Sequence, residues 1–279
     1  MLFGLDAIPL TEARAGVGHY TMELARALAA AAPADEFELA YPSTYQPLNL
    51  DATEAALPPN LRESRVPVGP LGRRWFLAGL PRHAARRGYA LFHGTNYEVP
   101  LRGRAARVVT VHDLSLLVRP ETHERRRVLR ARLRLPLMAR AADAVLTPTE
   151  SVRREACDLL RLPASKVYAV HEAARGCFRP MPPAETEEAR RRLGAGEEFL
   201  LAVGTLEPRK NLPVLLRAFE EVLRARPASP LRLVLAGGEG WLSGPLFKAI
   251  DASPARPRVV LTGYLGDEDL RALYSSCRL

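Results

Sequence analysis

Apolar positions along the chain follow two alternating periods. Short unbroken apolar runs end in polar or glycine-rich turns. Each is followed by a stretch in which apolar residues recur every three or four positions. The runs predict strands at residues 2–7, 37–41, 90–93, 107–112, 144–147 and 167–170, and a second series at 199–203, 231–236 and 258–262. The longer-period stretches predict helices at 20–32, 151–161, 212–226 and 268–275. Strand–helix alternation of this kind predicts an α/β fold with parallel sheets covered on both faces. One junction carries the most chemistry. The run from Phe199 to Val203 feeds Gly204-Thr205-Leu206-Glu207-Pro208-Arg209-Lys210-Asn211, after which Leu212, Leu215, Leu216, Phe219, Val222 and Leu223 mark one helix face. Arg209 and Lys210 therefore precede a helix N-terminus, where unpaired N–H groups and the positive end of the macrodipole favour an anion. A phosphate cradle and a solvated turn with two surface cations both fit this local pattern.

The proline-rich segment Phe178-Arg179-Pro180-Met181-Pro182-Pro183 has no periodicity and reads as a linker. It predicts two doubly wound domains, residues 1–180 and residues 181–279. In such sheets ligands bind beyond the strand C-termini, near the reversal of strand order, so a cleft between the domains is the expected active site.

Composition narrows the class. The chain has 279 residues with 47% hydrophobic content, enough for two cores. No apolar run reaches the ~18 residues of a membrane span. The start, Met1-Leu2-Phe3-Gly4-Leu5-Asp6, lacks a basic leader and reads as a first strand. Cys157, Cys177 and Cys277 are spaced for neither a disulfide framework nor zinc. A cytoplasmic location is expected. Nearly all of the +9 formal charge falls in residues 1–180, concentrated between Arg73 and Arg87 and between Arg125 and Arg140. Solvated helix faces account for such stretches. So does attraction to anionic lipid, with Trp75, Phe76 and Leu80 as apolar anchors and peripheral contact at the inner face of the cell membrane. Aromatics are only 6% and no nucleic-acid module is visible, so nucleic acid is not an expected partner.

Gly16 and Gly18 follow the first strand and allow close backbone approach to a phosphate, or form an ordinary flexible loop. His112 and Asp113 fall at the C-terminal end of a strand. His93-Gly94-Thr95-Asn96-Tyr97 and His171-Glu172 also follow strands, as loop structure or as ligand contacts, with Asn96 an acceptor-side candidate. Asp267-Glu268-Asp269 spells Asp-x-Asp but precedes Leu270, Leu273 and Tyr274. Asp267 therefore reads as a helix N-cap, and no metal is expected.

Taken in order, these pieces resemble the family 4 retaining glycosyltransferases of the GT-B fold. The resemblance rests on Ala15-Gly16-Val17-Gly18-His19-Tyr20, Val109-Thr110-Val111-His112-Asp113-Leu114 and Ala142-Asp143-Ala144-Val145-Leu146-Thr147-Pro148-Thr149-Glu150-Ser151. It continues through Gly204 to Asn211, Leu235-Ala236-Gly237-Gly238 and Thr262-Gly263-Tyr264-Leu265. It implies two Rossmann-like domains facing a cleft, with the acceptor side first and the nucleotide-sugar side second. It implies His112 at the transferred sugar, Gly16 and Gly18 at donor or acceptor, and Arg209 and Lys210 on the diphosphate. Glu207 holds the turn or touches the nucleotide.

The implied reaction moves a hexose from a nucleoside diphosphate sugar to a saccharide or lipid-linked hydroxyl, without cofactor or metal and with retention. GDP-mannose is the first choice of donor. The resemblance also implies a donor loop with a glutamate, seven residues and a second glutamate, and no two glutamates of this chain have that spacing. The second domain is thus expected to be incomplete, as in a C-terminally truncated member. A non-catalytic fragment keeping an acceptor or membrane surface, with an unpaired strand at 199–203, is one alternative. A sugar-nucleotide epimerase of the same fold is another.

Overall fold

In a computed structural model, which describes residues 1–12, 16–50, 56–69 and 74–279, the apolar runs of the first part assemble into one parallel sheet. Along the chain the elements are β1 (Leu2–Asp6), α1 (Gly16–Ala31), β2 (Glu36–Pro42), β3 (Leu61–Val66), α2 (Leu80–Arg87) and β4 (Leu91–Gly94). They continue as β5 (Ala106–Thr110), α3 (Ser115–Val118), α4 (Arg125–Ala141), β6 (Ala144–Thr147), α5 (Glu150–Leu160) and β7 (Val167–Ala169). The sheet runs β3-β2-β1-β4-β5-β6-β7. The order reverses between β1 and β4, which pair in parallel with Leu5 beside His93. A crevice for ligands opens at the C-terminal ends of such a pair.

Buried residues line both faces of this sheet, as a parallel sheet requires. One core gathers Phe92, Val109 and Val145 with Leu80, Leu135, Met138 and Leu160 from the helices. The other gathers Leu5, Leu39 and Tyr41 with Met22 and Ala25 of α1. Local chemistry sets the element ends. Thr149 caps α5 by accepting from Val152 N at 3.2 Å, and Arg161 closes it in the left-handed region at φ 54°.

The chain divides into two compact units, one of Met1–Leu117 with Leu129–Ala173 and a second of Val118–Val128 with Ala174–Leu279. In the second unit α6 (Pro183–Arg192), β8 (Phe199–Val203), α7 (Leu212–Ala225), β9 (Arg232–Ala236), α8 (Gly244–Ala252), β10 (Val259–Gly263) and α9 (Asp267–Ser276) follow one another. The parallel sheet runs β10-β9-β8. Residues 118–128 join this unit through Trp241. Its indole N–H donates to Thr122 O at 2.9 Å, its ring stacks on His123, and Arg127 lies over its face. The proline-rich segment is tied down as well. Arg271 donates to the carbonyls of Arg179 and Pro180, and Met181 N donates to Ser275 Oγ.

The structure departs from the sequence expectations in five places. Helix α1 starts at Gly16, not Tyr20, so both glycines lie in its first turn. Strand β3 was not expected, because Arg62, Glu63, Ser64 and Arg65 read as surface. Such charges suit an edge strand. Trp75, Phe76 and Leu80 are not membrane anchors. All three are buried in the first core, rolled inward by a π-helical turn at Trp75–Gly79. Asp267 is not the N-cap of α9. Gly266 occupies that place, and the Asp267 carboxylate is held by Arg175 at 2.5 and 2.6 Å. Nor is β8 left unpaired on its outer edge: Leu201 N donates to Leu279 O, and Arg278 N to Phe199 O. Ala15 of the glycine segment and Arg73 of the basic stretch lie outside the described residues.

Candidate active site

In the first unit the chemistry collects where β1, β4 and β5 end. Strand β5 stops at Thr110, and His112 stands two residues beyond it. His112 Nε2 lies 2.8 Å from the Thr95 carbonyl, and Nδ1 lies 3.2 Å from Glu172 Oε1. Tyr20 of α1 and Tyr97 meet the imidazole edge-on, with ring centroids 4.9 and 5.9 Å away. The ring is thus oriented by a backbone acceptor on one side and a carboxylate on the other. Asp113 orders the adjoining loop. Its side chain accepts from Ser115 N at 2.9 Å, and its own N–H donates to Tyr97 Oη at 3.0 Å.

Beneath His112 runs a buried polar chain. His93 Nε2 and Tyr20 Oη both meet Thr110 Oγ1, at 2.8 and 2.9 Å. Burial, with the neighbouring His112 adding to it, holds His93 down at about 4, so the ring is neutral. Thr95 Oγ1 donates to Asp6 O, and Thr21 Oγ1 donates to Thr95 Oγ1. Asn96 sits in the same loop, half-buried. Gly16 opens the first turn of α1 with open space beside its α-carbon. The strand-order reversal therefore brings Gly16, Gly18, Asn96 and His112 to one end of one sheet.

Asp6 and Glu98 also belong here, although no motif in the sequence marks them. Their signal was position: Asp6 ends an apolar strand, and Glu98 follows one by four residues. Burial raises Asp6 to about 7, against a hydrogen bond from Ile8 N, and the nearby Glu98 adds to the rise. Burial also raises Glu98, opposed by Arg134 at 2.5 Å. The linkage has a definite sign. The folded chain holds a proton on Asp6 that the unfolded chain releases near pH 4. Stability from this group is therefore full at low pH and lost as pH rises toward 7. Asp6→Asn keeps the acceptor for Ile8 and cannot ionise. It is expected to raise urea-unfolding stability by about 2–4 kcal/mol near pH 8 and to change it little near pH 4. An equal effect at both pH values would contradict the assignment.

In the second unit the turn after β8 is shaped by glycines. Gly204 leaves the strand at φ 136°, and Lys210 folds back across it, so a Cβ on Gly204 would stand 3.3 Å from Lys210 Cε and 3.5 Å from Nζ. The Lys210 amine thus lies over the end of β8. Gly237, at the end of β9, packs against the Gly204 backbone. Pro208–Lys210 make a single 3₁₀ turn, and Asn211, at φ 51°, ends it and opens α7.

Glu207 points inward, 2% exposed, and its Oε1 accepts from Arg209 Nε at 2.8 Å and Nη2 at 2.6 Å. The charge of Arg209 is thus shared with a buried carboxylate. Among the described residues Lys210 has no carboxylate partner. The turn therefore offers an anion the amine of Lys210, part of the Arg209 charge and the start of a helix. Asp267 and Asp269 are bound to Arg175 and Arg192. Among the described residues no group of three or more His, Cys, Asp or Glu could hold a metal.

Residues 14–173 match Glycosyltransferase Family 4, and residues 184–279 match Glycosyl transferases group 1. O-antigen chain mannosyltransferase B of Escherichia coli is 29% identical over all of this chain and 74% of its own length. The D-inositol 3-phosphate glycosyltransferase of Kineococcus radiotolerans is 38% identical over 35% of this chain and 23% of its own length. Among solved structures, Anabaena Alr3699/HepE in complex with UDP-glucose is similar at 17% identity and a TM-score of 0.69, covering 99% of this chain and 71% of that one. The α/β architecture, with parallel sheets of seven and three strands, matches GT-B glycosyltransferase structures.

Proposed function

The chain belongs to glycosyltransferase family 4, and from that premise we propose that it moves a hexose from a nucleoside diphosphate sugar to a hydroxyl of a saccharide or lipid-linked acceptor, retaining the anomeric configuration. The observation that carries this reading is the turn at Gly204–Asn211, where Lys210 lies over a strand end beside a helix start. As the sugar–phosphate bond lengthens, negative charge grows on the leaving diphosphate. Fixed cations and helix N–H groups that face it before reaction lower the barrier without reorganisation. Lys210 and Arg209 take that role, and Glu207 holds the Arg209 guanidinium in place. The acceptor hydroxyl attacks on the face from which diphosphate leaves, and the departing phosphate oxygen takes its proton. GDP-mannose is the proposed donor, by similarity to the mannosyltransferase of Escherichia coli.

His112 would meet the transferred sugar through Nδ1, with the half-exposed Glu172 giving way and Thr95 O keeping the ring in place. Gly16 and Gly18 would let donor or acceptor approach the start of α1, and Asn96 would face the acceptor. Family membership favours transfer over the epimerase and non-catalytic readings.

The test is a transfer assay with labelled GDP-mannose and UDP-glucose against saccharide and polyprenyl-linked acceptors, with the product anomer read by NMR. A labelled product of retained configuration is expected. Free sugar without acceptor product, or an inverted anomer, would contradict the proposal. His112→Ala is expected to lower kcat about 100-fold while nucleoside diphosphate affinity stays within about twofold, since the side chain serves the sugar and not the phosphates. Equal losses in both would place His112 elsewhere in the mechanism.

A further inference from the structure

The carboxylate of Glu172 has no part in the proposed reaction beyond giving way to the sugar, yet the fold sets it against one particular atom. His112 Nε2 lies 2.8 Å from Thr95 O. A carbonyl only accepts, so Nε2 carries a proton and donates there. Tyr20 and Tyr97 meet the imidazole edge-on and keep it from turning. Each is held in turn, Tyr20 Oη against Thr110 Oγ1 and Tyr97 Oη by the N–H of Asp113. Nδ1 therefore has one fixed direction, and Glu172 Oε1 stands in it at 3.2 Å. A carboxylate also only accepts, so this hydrogen bond is made when Nδ1 donates. The His112 side chain is 14% exposed and that of Glu172 43%, so the carboxylate is the accessible member of the pair. Residues 170–175 belong to no helix or strand. Glu172 thus reaches Nδ1 from irregular backbone and can retreat by side-chain rotation.

We propose that His112 and Glu172 together read one hydroxyl of the transferred sugar, and that Glu172 thereby selects a sugar with a free hydroxyl at that position. The inference rests on the reading of His112 as the residue that meets the sugar. A hydroxyl oxygen entering between the two side chains would accept from Nδ1–H and donate to Glu172 Oε1. One direct hydrogen bond is then replaced by two, one of them to a carboxylate. The pair demands a group that accepts and donates at a single atom, and a sugar hydroxyl does both. An ammonium group cannot accept from Nδ1–H. A phosphate oxygen would meet the Glu172 carboxylate as a like charge. A deoxy carbon offers neither bond, and the direct contact between Glu172 and His112 closes again in its place.

The test pairs changes in the protein with changes in the sugar. Steady-state transfer and calorimetric binding are measured for the intact chain, Glu172→Ala and Glu172→Gln. The ligands are GDP-mannose, UDP-glucose and, for whichever donor is transferred, its monodeoxy analogues, each lacking one sugar hydroxyl. For the intact chain one analogue is expected to lose about 10- to 100-fold in kcat/KM, the scale of a hydrogen bond to a charged group. Glu172→Ala is expected to lose a similar factor with the full donor, but no more than about threefold further with that one analogue. The other analogues should still show the full loss on substitution. Glu172→Gln keeps an acceptor oxygen and should fall between. Affinity for GDP or UDP alone should stay within about twofold in both variants, and both should melt as the parent does, since Glu172 is exposed. No transfer of either donor by the intact chain would overturn the sugar-transfer reading and this proposal with it. Transfer by the intact chain, with equal Glu172→Ala losses on every analogue, would overturn this proposal alone. So would an unchanged kcat/KM, or tighter donor binding by Glu172→Ala, which would make Glu172 only a competitor for Nδ1.

Discussion

Lys210→Ala is expected to lower kcat/KM for sugar transfer about 100- to 1,000-fold, the scale seen when one preorganised donor to a developing anion is removed. The side chain folds back over Gly204 and has no carboxylate partner among the described residues, so its amine is available to a ligand. Removing it leaves no buried charge behind, and the melting temperature should hardly move. Arg209→Ala is a different experiment. It would strand the buried Glu207 carboxylate, and losing one partner of a buried pair costs about 3 kcal/mol or more. Activity lost in that variant would mix folding with binding. Steady-state kinetics on Lys210→Ala beside thermal melts of both variants separate the two effects. Unchanged kcat/KM for Lys210→Ala would remove the turn from the mechanism.

Gly237→Ala is expected to destabilise the second unit by about 3 kcal/mol or more. Gly237 sits at φ 154°, where an L side chain is strained, and a Cβ there would stand 2.1 Å from Gly204 O. Backbone, not a flexible side-chain end, lies in the way. The clash must be relieved by moving β9 away from the turn, at a cost typical of overpacking or greater. Gly204 is the residue over which Lys210 lies, so the same shift displaces the anion-binding amine. Gly238→Ala is the control. A Cβ on Gly238 would meet nothing within 4 Å, and the change should stay within about 0.5 kcal/mol. Urea unfolding of the two variants compares them directly. Equal stability would mean that the close approach of the two strand ends does not shape the turn.

How much of this was legible beforehand depends on what each residue does. Strands β6 and β8 fall at the expected positions because uninterrupted apolar runs between turn residues leave little choice. Strand β3 was hidden because an edge strand alternates charge with half-burial, and Arg62 and Glu63 look like any surface loop. The outer face of α4 was hidden for the opposite reason. Leucines lie on both sides of that helix, and only the fold shows that Leu135 is inside while Leu133 is outside.

In the candidate site, His112, Arg209 and Lys210 stood out because each sits just past a strand in a recognisable order. Their partners did not. Glu172 comes 60 residues after His112. The inward turn of Glu207 follows from backbone geometry that no local pattern records. Asp6 carries no motif, and its raised proton affinity comes chiefly from burial, with the nearby Glu98 adding to it.

The turn from Gly204 to Asn211 is expected to bind the diphosphate of a sugar nucleotide. Calorimetric titration of the chain with GDP-mannose, GDP, UDP-glucose and UDP tests it most directly, with Lys210→Ala in parallel. Saturable binding of one base series in the micromolar to millimolar range is expected, shared by the diphosphate and its sugar ester and weakened at least about tenfold in the variant. A folded chain that gives no binding heat with any of the four, or a variant that binds as the parent does, would contradict it.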